Sequence, residues 1–89
     1  MGENPSPELL KSINDVIKKV HHEDVELHHF HLHNYITQKE ITFHIKLDGD
    51  KPIKEAHKLT TKIEEALYRD LSIRATIHIE PEDCEHKFD

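Results

Sequence analysis

The stretch ITFHIKL, residues 41–47, decides the fold class because its side chains alternate strictly between apolar and polar. Every odd position from Ile41 to Leu47 is apolar, and every even position is polar. Successive side chains of a strand point to opposite faces, so the alternation predicts a strand with one face packed on a core. The turn sequence Asp48-Gly49-Asp50 ends the strand. Such a strand needs a layer that covers its apolar face.

Two amphipathic helices, one before and one after this strand in the sequence, can provide that layer. Ser6 and Pro7 supply an N-cap and a proline at the first helical position, and an apolar stripe from Leu9 to Val20 follows them. Pro52 opens the second helix, and its apolar stripe continues to Leu67. Each stripe needs a partner surface, and the apolar face of a sheet is the surface available.

Two further strands are predicted from the same kind of alternation. Residues 25–36 alternate with a change of phase at His28–His29, which indicates a bulge or a strand start there. A polar turn region follows at residues 34–40. The last strand runs from Ile73 to about Glu80 with its odd positions apolar, and Pro81 stops it.

The resulting order, α-β-β-α-β, predicts an α+β fold of the ferredoxin-like two-layer type. The first two strands form a hairpin, and the second helix crosses over to place the last strand parallel to the first strand and beside it. The three-stranded sheet is then mixed, both helices pack on one of its faces, and the other face stays uncovered. At 89 residues we expect a single domain over residues 1–89, with an ordered core at about residues 6–81.

Composition restricts the classes of function. The formal net charge of −6 argues against nucleic-acid binding, because no basic face is available to neutralise phosphates. No apolar run approaches the roughly 18 residues of a membrane span, so we expect a soluble chain that does not insert into a membrane. The only cysteine, Cys84, excludes an intrachain disulfide and agrees with a reducing compartment. An acidic surface suits cations better.

Histidine is the residue whose abundance points to a function, with ten among 89 residues. The apolar odd positions of the strands must face the helices, so the even positions His44, His78 and Glu80 face the uncovered side. The first strand has Phe30 and Leu32 as its apolar pair. Its other side chains then also point to the uncovered side, namely His29, His31 and His33. Five histidines and a carboxylate on one bare face suit a divalent transition metal, zinc above all.

A single histidine at an exposed strand position is more often solvated than a metal ligand, but several of them on one small surface reverse these odds. His21, His22 and His86 lie at a helix end and in the charged tail, and we interpret them as solvated. Cys84 together with His86 offers a weak additional metal site. No Gly-rich phosphate loop and no recognisable nucleophile are present, so the chain is not predicted to be an enzyme.

Three stretches carry a resemblance to a known family. They are the strand Ile41-Thr42-Phe43-His44-Ile45, the helix opening Glu55-Ala56-His57, and the strand end Thr76-Ile77-His78-Ile79-Glu80-Pro81. With the element order, the pairing of Ala-His on the second helix with His-x-Glu-Pro on the last strand resembles the C-terminal cytoplasmic domain of cation diffusion facilitator transporters. The resemblance covers about Ser6 to Asp83.

The resemblance implies a sandwich like that of copper chaperones, which forms a homodimer in the cytoplasm. Zinc or a related divalent ion is expected near the dimer interface, where it bridges the subunits and favours transport through the membrane portion. Carried over by position, the implied ligands are His28, His44, His57, His78 and Glu80. His28 lies 16 residues before His44, as the family spacing requires, but the adjacent His29 leaves that assignment open.

Two of the implied ligands depart from the simplest pattern. The last ligand of the family is often Asp, and Glu80 has a longer side chain and so a different reach. His57 lies at the margin of the second helix, one residue from Ala56. There it either reaches the end of the site or caps the helix.

The membrane helices that carry transport in the family are absent from this sequence, so transport is not a property of this chain alone. The chain is either a domain of a transporter or a free-standing relative. Three functions therefore remain in competition: a metal-sensing regulatory module, a soluble metal buffer or chaperone, and an interaction module that binds no metal.

Overall fold

The structure, a computed structural model, describes residues 4–22 and 25–81 of the chain. Its elements follow the predicted order. They are α1 (Pro7–Val20), β1 (His28–Asn34), β2 (Lys39–Leu47), α2 (Ile53–Leu71) and β3 (Ile73–Pro81). The fold is the predicted ferredoxin-like α+β sandwich with a three-stranded mixed sheet.

Caps define the start of α1 and the end of α2. The hydroxyl of Ser6 accepts a hydrogen bond from the Leu9 amide at 3.2 Å, and Pro7 occupies the first turn of α1, as predicted. α2 ends at Ser72, whose amide donates to the Tyr68 carbonyl at 3.0 Å and whose left-handed backbone (φ 56°) then turns the chain out of the helix. These caps fix where the apolar stripe of α1 starts and where that of α2 stops.

The sheet has the order β1-β2-β3, with β2 antiparallel to β1 and parallel to β3. The expectation that the last strand lies beside the first strand and parallel to it is therefore wrong, because β3 pairs with β2. The physical reason is burial. Each odd position of β2 from Ile41 to Leu47 is at most 5% exposed, so β2 occupies the centre with a neighbour on each side. The α2 crossover then joins two parallel neighbours.

A bulge near the start of β1 confirms the predicted change of phase at His28–His29. His28 pairs with His44 and His31 pairs with Thr42, so three residue steps on β1 match two on β2. His29, inside the bulge, has a positive φ of 55°. Because of the extra residue, His28 and His31 both point to the same face of the sheet, although they differ in parity.

β1 is shorter than the predicted strand at residues 25–36. Glu26 has a positive φ of 47°, which takes the chain out of strand conformation before β1 begins. At the other end the Tyr35 amide donates to the Gln38 carbonyl at 2.9 Å and closes the hairpin. β2 then begins at Lys39, earlier than the polar turn predicted at residues 34–40 allows.

The core lies between the two helices and the odd-numbered face of β2. Helices and strands both contribute the largest fully buried side chains, which are Phe43, Ile13, Ile41, Ile45, Ile63, Leu67 and Ile73. Even-numbered side chains of β2 from Glu40 to Lys46 are half-buried, on the side of the sheet away from this core. We call that side the open face. It carries the even-numbered side chains of β2 and β3 with their cross-strand partners on β1.

Candidate metal centre

One histidine from each strand lies in a row across the open face. The register pairs His28 with His44, and His44 with His78. Glu80 occupies the next even position of β3, so its side chain points to the same face. The bulge brings His28 into this row, and the simple alternation of β1, which assigned His29 to the open face, did not account for that shift.

The carboxylate of Glu80 connects two of these histidines. Its Oε1 lies 3.0 Å from His28 Nε2, and its Oε2 lies 2.6 Å from His44 Nδ1. One ligand atom from each of the three residues lies within 4.8 Å of the other two, and all three residues are half-buried. We call His28, His44 and Glu80 the His–Glu trio. Across residues 4–22 and 25–81 it is the one such group with three or more candidate metal ligands.

The hydrogen bonds of His28 determine which of its nitrogens can meet a cation. Nδ1 lies 2.7 Å from the main-chain carbonyl oxygen of Glu26, which can only accept, so Nδ1 carries a proton and donates. In the neutral ring Nε2 then has a lone pair, which faces a Glu80 oxygen at 3.0 Å. Two acceptors at this distance repel each other unless a cation, either a proton or a metal ion, lies between them.

Glu80 is held in its charged form by the histidines. The hydrogen bond from His44 is the largest cause and lowers the pKa of Glu80, whereas partial burial raises it. The hydrogen bond from His28 and the positive charges of both rings lower it further, so the pKa falls from 4.5 to about 2. The carboxylate is therefore in the ionised form that binds metal at any pH near neutral.

Two more imidazole rings border the trio. The ring centroid of His78 lies 5.0 Å from that of His44. The centroid of His29 lies 5.0 Å from that of His44 and 4.9 Å from that of His28. Both side chains are exposed, and the trio does not include their nitrogens. Four imidazoles and one carboxylate thus share one end of the open face.

The other histidines of β1 lie towards the hairpin. His31 pairs with Thr42 and His33 pairs with Glu40, both of which belong to the open face, as the sequence predicted. The ring of His33 stacks on Tyr35 with a centroid distance of 6.2 Å. Neither histidine belongs to the His–Glu trio. Cys84 and His86, the weak additional site, lie outside the described residues.

His57 lies on the helix-covered side of the sheet. It is exposed on α2 and lines an apolar cavity together with Ile79 and Pro81 at the end of β3. Because α2 begins at Ile53, His57 is inside the helix and does not cap it. Burial raises the pKa of Glu64 above its ordinary value, and the charge of His57 offsets only part of that rise. Within one chain, therefore, His57 is separate from the trio.

Sequence reasoning did not find the main-chain carbonyl of Glu26, although it fixes the ring of His28. A carbonyl group has no side-chain signature, and no glycine or asparagine announces the left-handed backbone at this position. The side chain of Glu26 also forms an ion pair with Lys46 at 3.3 Å, and Lys46 is the register partner of Glu80. The only sequence signal near this feature was the change of phase at His28–His29.

Residues 5–82 match the family described as the cytoplasmic domain of cation efflux proteins. The chain belongs to this family. The resemblance to cation diffusion facilitator transporters is thereby confirmed, and so is the cytoplasmic assignment of the domain. Members of this family are domains of transport proteins and not catalytic domains. Among the described residues, no helix combines the length and the apolar character needed to span a bilayer.

Several solved structures of metal-transport proteins resemble this one. The zinc form of CzrB, a protein studied as a zinc transporter, has a TM-score of 0.76 and 30% identity, covering 96% of this chain and 99% of its own. The metal-bound C-terminal domain of the CzcD transporter from Thermotoga maritima has a TM-score of 0.70 and 28% identity, covering 90% and 98%.

The cytosolic domain of a cation diffusion facilitator family protein has a TM-score of 0.71 and 31% identity, covering 84% of this chain and 90% of its own. No match is found among curated proteins. The α-β-β-α-β sandwich is thus a fold shared with metal-bound relatives.

Proposed function

We propose that this domain senses zinc in the cytoplasm through the His–Glu trio and thereby regulates a cation efflux transporter. The observation that carries the proposal is the contact between His28 and Glu80. With Nδ1 of His28 committed to the Glu26 carbonyl, Nε2 faces a carboxylate oxygen at 3.0 Å. Either a proton or a metal ion is needed between these two atoms, and a divalent ion that displaces the proton neutralises the carboxylate and uses the lone pair of the ring.

The donor set favours zinc over harder cations. Two imidazoles and one carboxylate suit zinc and its transition-metal neighbours, whereas calcium and magnesium prefer oxygen ligands alone. At metal–ligand distances of about 2.1 Å a tetrahedral ion holds its ligand atoms about 3.4 Å apart. The contacts of 3.0 Å and 2.6 Å need to open by less than about 1 Å to admit it, and the widest pair of ligand atoms, at most 4.8 Å apart, needs to close by no more than about 1.5 Å. The zinc form of CzrB supports the same choice of ion.

A homodimer is the second part of the proposal. His57, a ligand implied by the family resemblance, is separate from the trio of its own chain and lies beside the exposed apolar side chains Ile53 (88% exposed) and Ile79 (41%). Such a patch suits a subunit interface. A second copy docked there can bring its His57 towards His78 on the border of the trio. An ion held between copies would draw the two subunits together and favour transport through the membrane portion.

Calorimetric titration with zinc tests the metal site. We expect the wild-type domain to bind zinc, and His44→Ala to weaken binding by roughly tenfold or more, since even the loss of an outer-shell partner has a cost of that order. His33→Ala is the matched control, because His33 is also on the open face but outside the trio. A wild-type domain that binds no zinc would exclude sensing and leave an interaction module as the function.

Sedimentation velocity and small-angle scattering, with and without zinc, test the regulatory part. A sensor should be dimeric and become more compact with zinc, and His57→Ala should bind zinc at the trio yet fail to compact. If zinc binds but neither mass nor shape changes, the domain is a metal buffer or chaperone and the sensing role is excluded.

A further inference from the structure

The backbone of His29 adopts a conformation that a histidine occupies only at a cost. Its φ of 55° is in the left-handed region, where a Cβ atom is crowded by the backbone and glycine is the favoured residue. In bulges of this kind the left-handed residue is typically glycine. Three residues earlier, Glu26 is also left-handed, at φ 47°. Such strain persists where the surrounding structure enforces it, and it concentrates at functional sites.

The imidazole of His29 lies where a ligand of the trio's ion would lie. Its centroid is 4.9 Å from that of His28 and 5.0 Å from that of His44, and the centroids of His28 and His44 are 5.4 Å apart. Three imidazoles bound to one tetrahedral ion, each at about 2.1 Å, have centroids about 5 Å apart. The three rings already have this spacing.

The alternatives for the same position are weaker. His78 is near His44 alone, at 5.0 Å, and it is on the far side of the row from His28. The trio by itself provides three protein ligands, which leaves one position of a tetrahedral ion to be filled. His29 borders both histidines of the trio, and its side chain is exposed.

We propose that His29 supplies the fourth ligand to the ion held by His28, His44 and Glu80, and that the strained bulge exists to place it there. The inference rests on the proposed function, because it concerns the same ion. In this proposal the strained backbone of His29 lowers the stability of the metal-free domain, and the imidazole of His29 raises the affinity of the domain for metal. His78 is then left for the ion between subunits.

Two substitutions separate these opposite effects. His29→Gly removes both the ligand and the strain, whereas His29→Ala removes the ligand and keeps a Cβ in the left-handed backbone. Both should weaken zinc binding by roughly tenfold or more. The metal-free His29→Gly domain should melt above the His29→Ala domain by several degrees, about 4 °C or more. The matched control is His31→Ala, an exposed histidine of regular pairing on the same strand, which should leave zinc binding unchanged.

X-ray absorption of the zinc-loaded domain gives a readout that a structural role would not move. In the His57→Ala background, which removes the ion between subunits, the domain with His29 intact should show three imidazoles around zinc, and both His29 variants should show two. If the His29 variants bind zinc as tightly as the wild type and keep the same number of imidazoles, the inference is wrong while the trio stands. If the wild type itself binds no zinc, the proposed function has failed instead.

Discussion

The two faces of the sheet are built from alternate residues of the same strands. The covered face packs against the helices, whereas the open face carries the His–Glu trio. On the covered face Phe43 is fully buried between the helices and the sheet. One residue further along β2, His44 is half-buried on the open face and contacts Glu80 at 2.6 Å. Packing energy and metal chemistry thus belong to alternate residues of one strand. Each can therefore be altered with little effect on the other.

The largest expected effect is on the covered face. Phe43→Ala should lower the free energy of unfolding of the metal-free domain by about 3–5 kcal/mol, because it leaves a cavity in a packed core. Urea denaturation measures this change. Ile36→Ala is the control, since Ile36 is a fully exposed apolar side chain at the hairpin and should lose little. A cost below about 1 kcal/mol for Phe43→Ala would mean that the covered face does not hold the fold.

Zinc should act from the open face with the next largest effect. At a free concentration of 100 Kd it should stabilise the domain by about 2.7 kcal/mol, which raises Tm by roughly 10 °C or more for a domain of this size. A chelator should reverse the rise. His44→Ala should remove most of it and lower the metal-free Tm by a smaller amount, through the lost contact with Glu80. If the metal-free His44→Ala domain did not fold, the open face would be essential for folding, and the two faces could not be altered independently.

A smaller effect is expected from the charge of Glu80 in the metal-free domain. Its pKa is lowered to about 2, so the stability that its ionised form contributes is complete above pH 4.5 and is lost as pH falls towards 2. Glu80→Gln lacks this contribution at every pH. The difference in unfolding free energy between wild type and Glu80→Gln should therefore shrink between pH 4.5 and pH 2. Denaturant titrations across that range measure this difference in unfolding free energy. A constant difference would contradict the lowered pKa of Glu80.

The smallest effect is expected for an open-face residue that is not near the trio. Thr76→Val keeps the β-branched shape on the edge strand β3 and removes an exposed hydroxyl. It should change the free energy of unfolding by no more than about 0.5 kcal/mol and leave zinc affinity unchanged. Thermal melts with and without zinc would reveal any larger change, which would show that the open face contributes to folding as well.

Local patterns were sufficient to predict most of the fold. The alternation at residues 41–47 and the capped stripe that starts at Ser6 depend on side chains and on neighbours close in sequence. The position of β3 depends instead on which strand is buried at the centre of the sheet, and that is decided only in the assembled core. The prediction that β3 lies beside the first strand was therefore wrong, although every element was recognised.

Prediction of the candidate site was limited by the bulge in β1. Parity identified the open face and the even residues His44, His78 and Glu80, because it needs only the alternation of regular strands. It could not describe the bulge, since a left-handed His29 has no distinctive sequence signal. The pairing of His28 with His44 follows from that bulge, and only the family resemblance had suggested His28.

The His–Glu trio joins residues that are far apart along the chain, since His28 and Glu80 are separated by 52 positions in sequence. Ordering so long a segment is entropically costly, and the trio is complete only after β3 has paired with β2. A partly folded chain therefore offers no complete trio to an ion. We expect zinc to slow the unfolding of the finished domain much more than it accelerates its folding. The lifetime of the folded domain would then depend on how much zinc surrounds it.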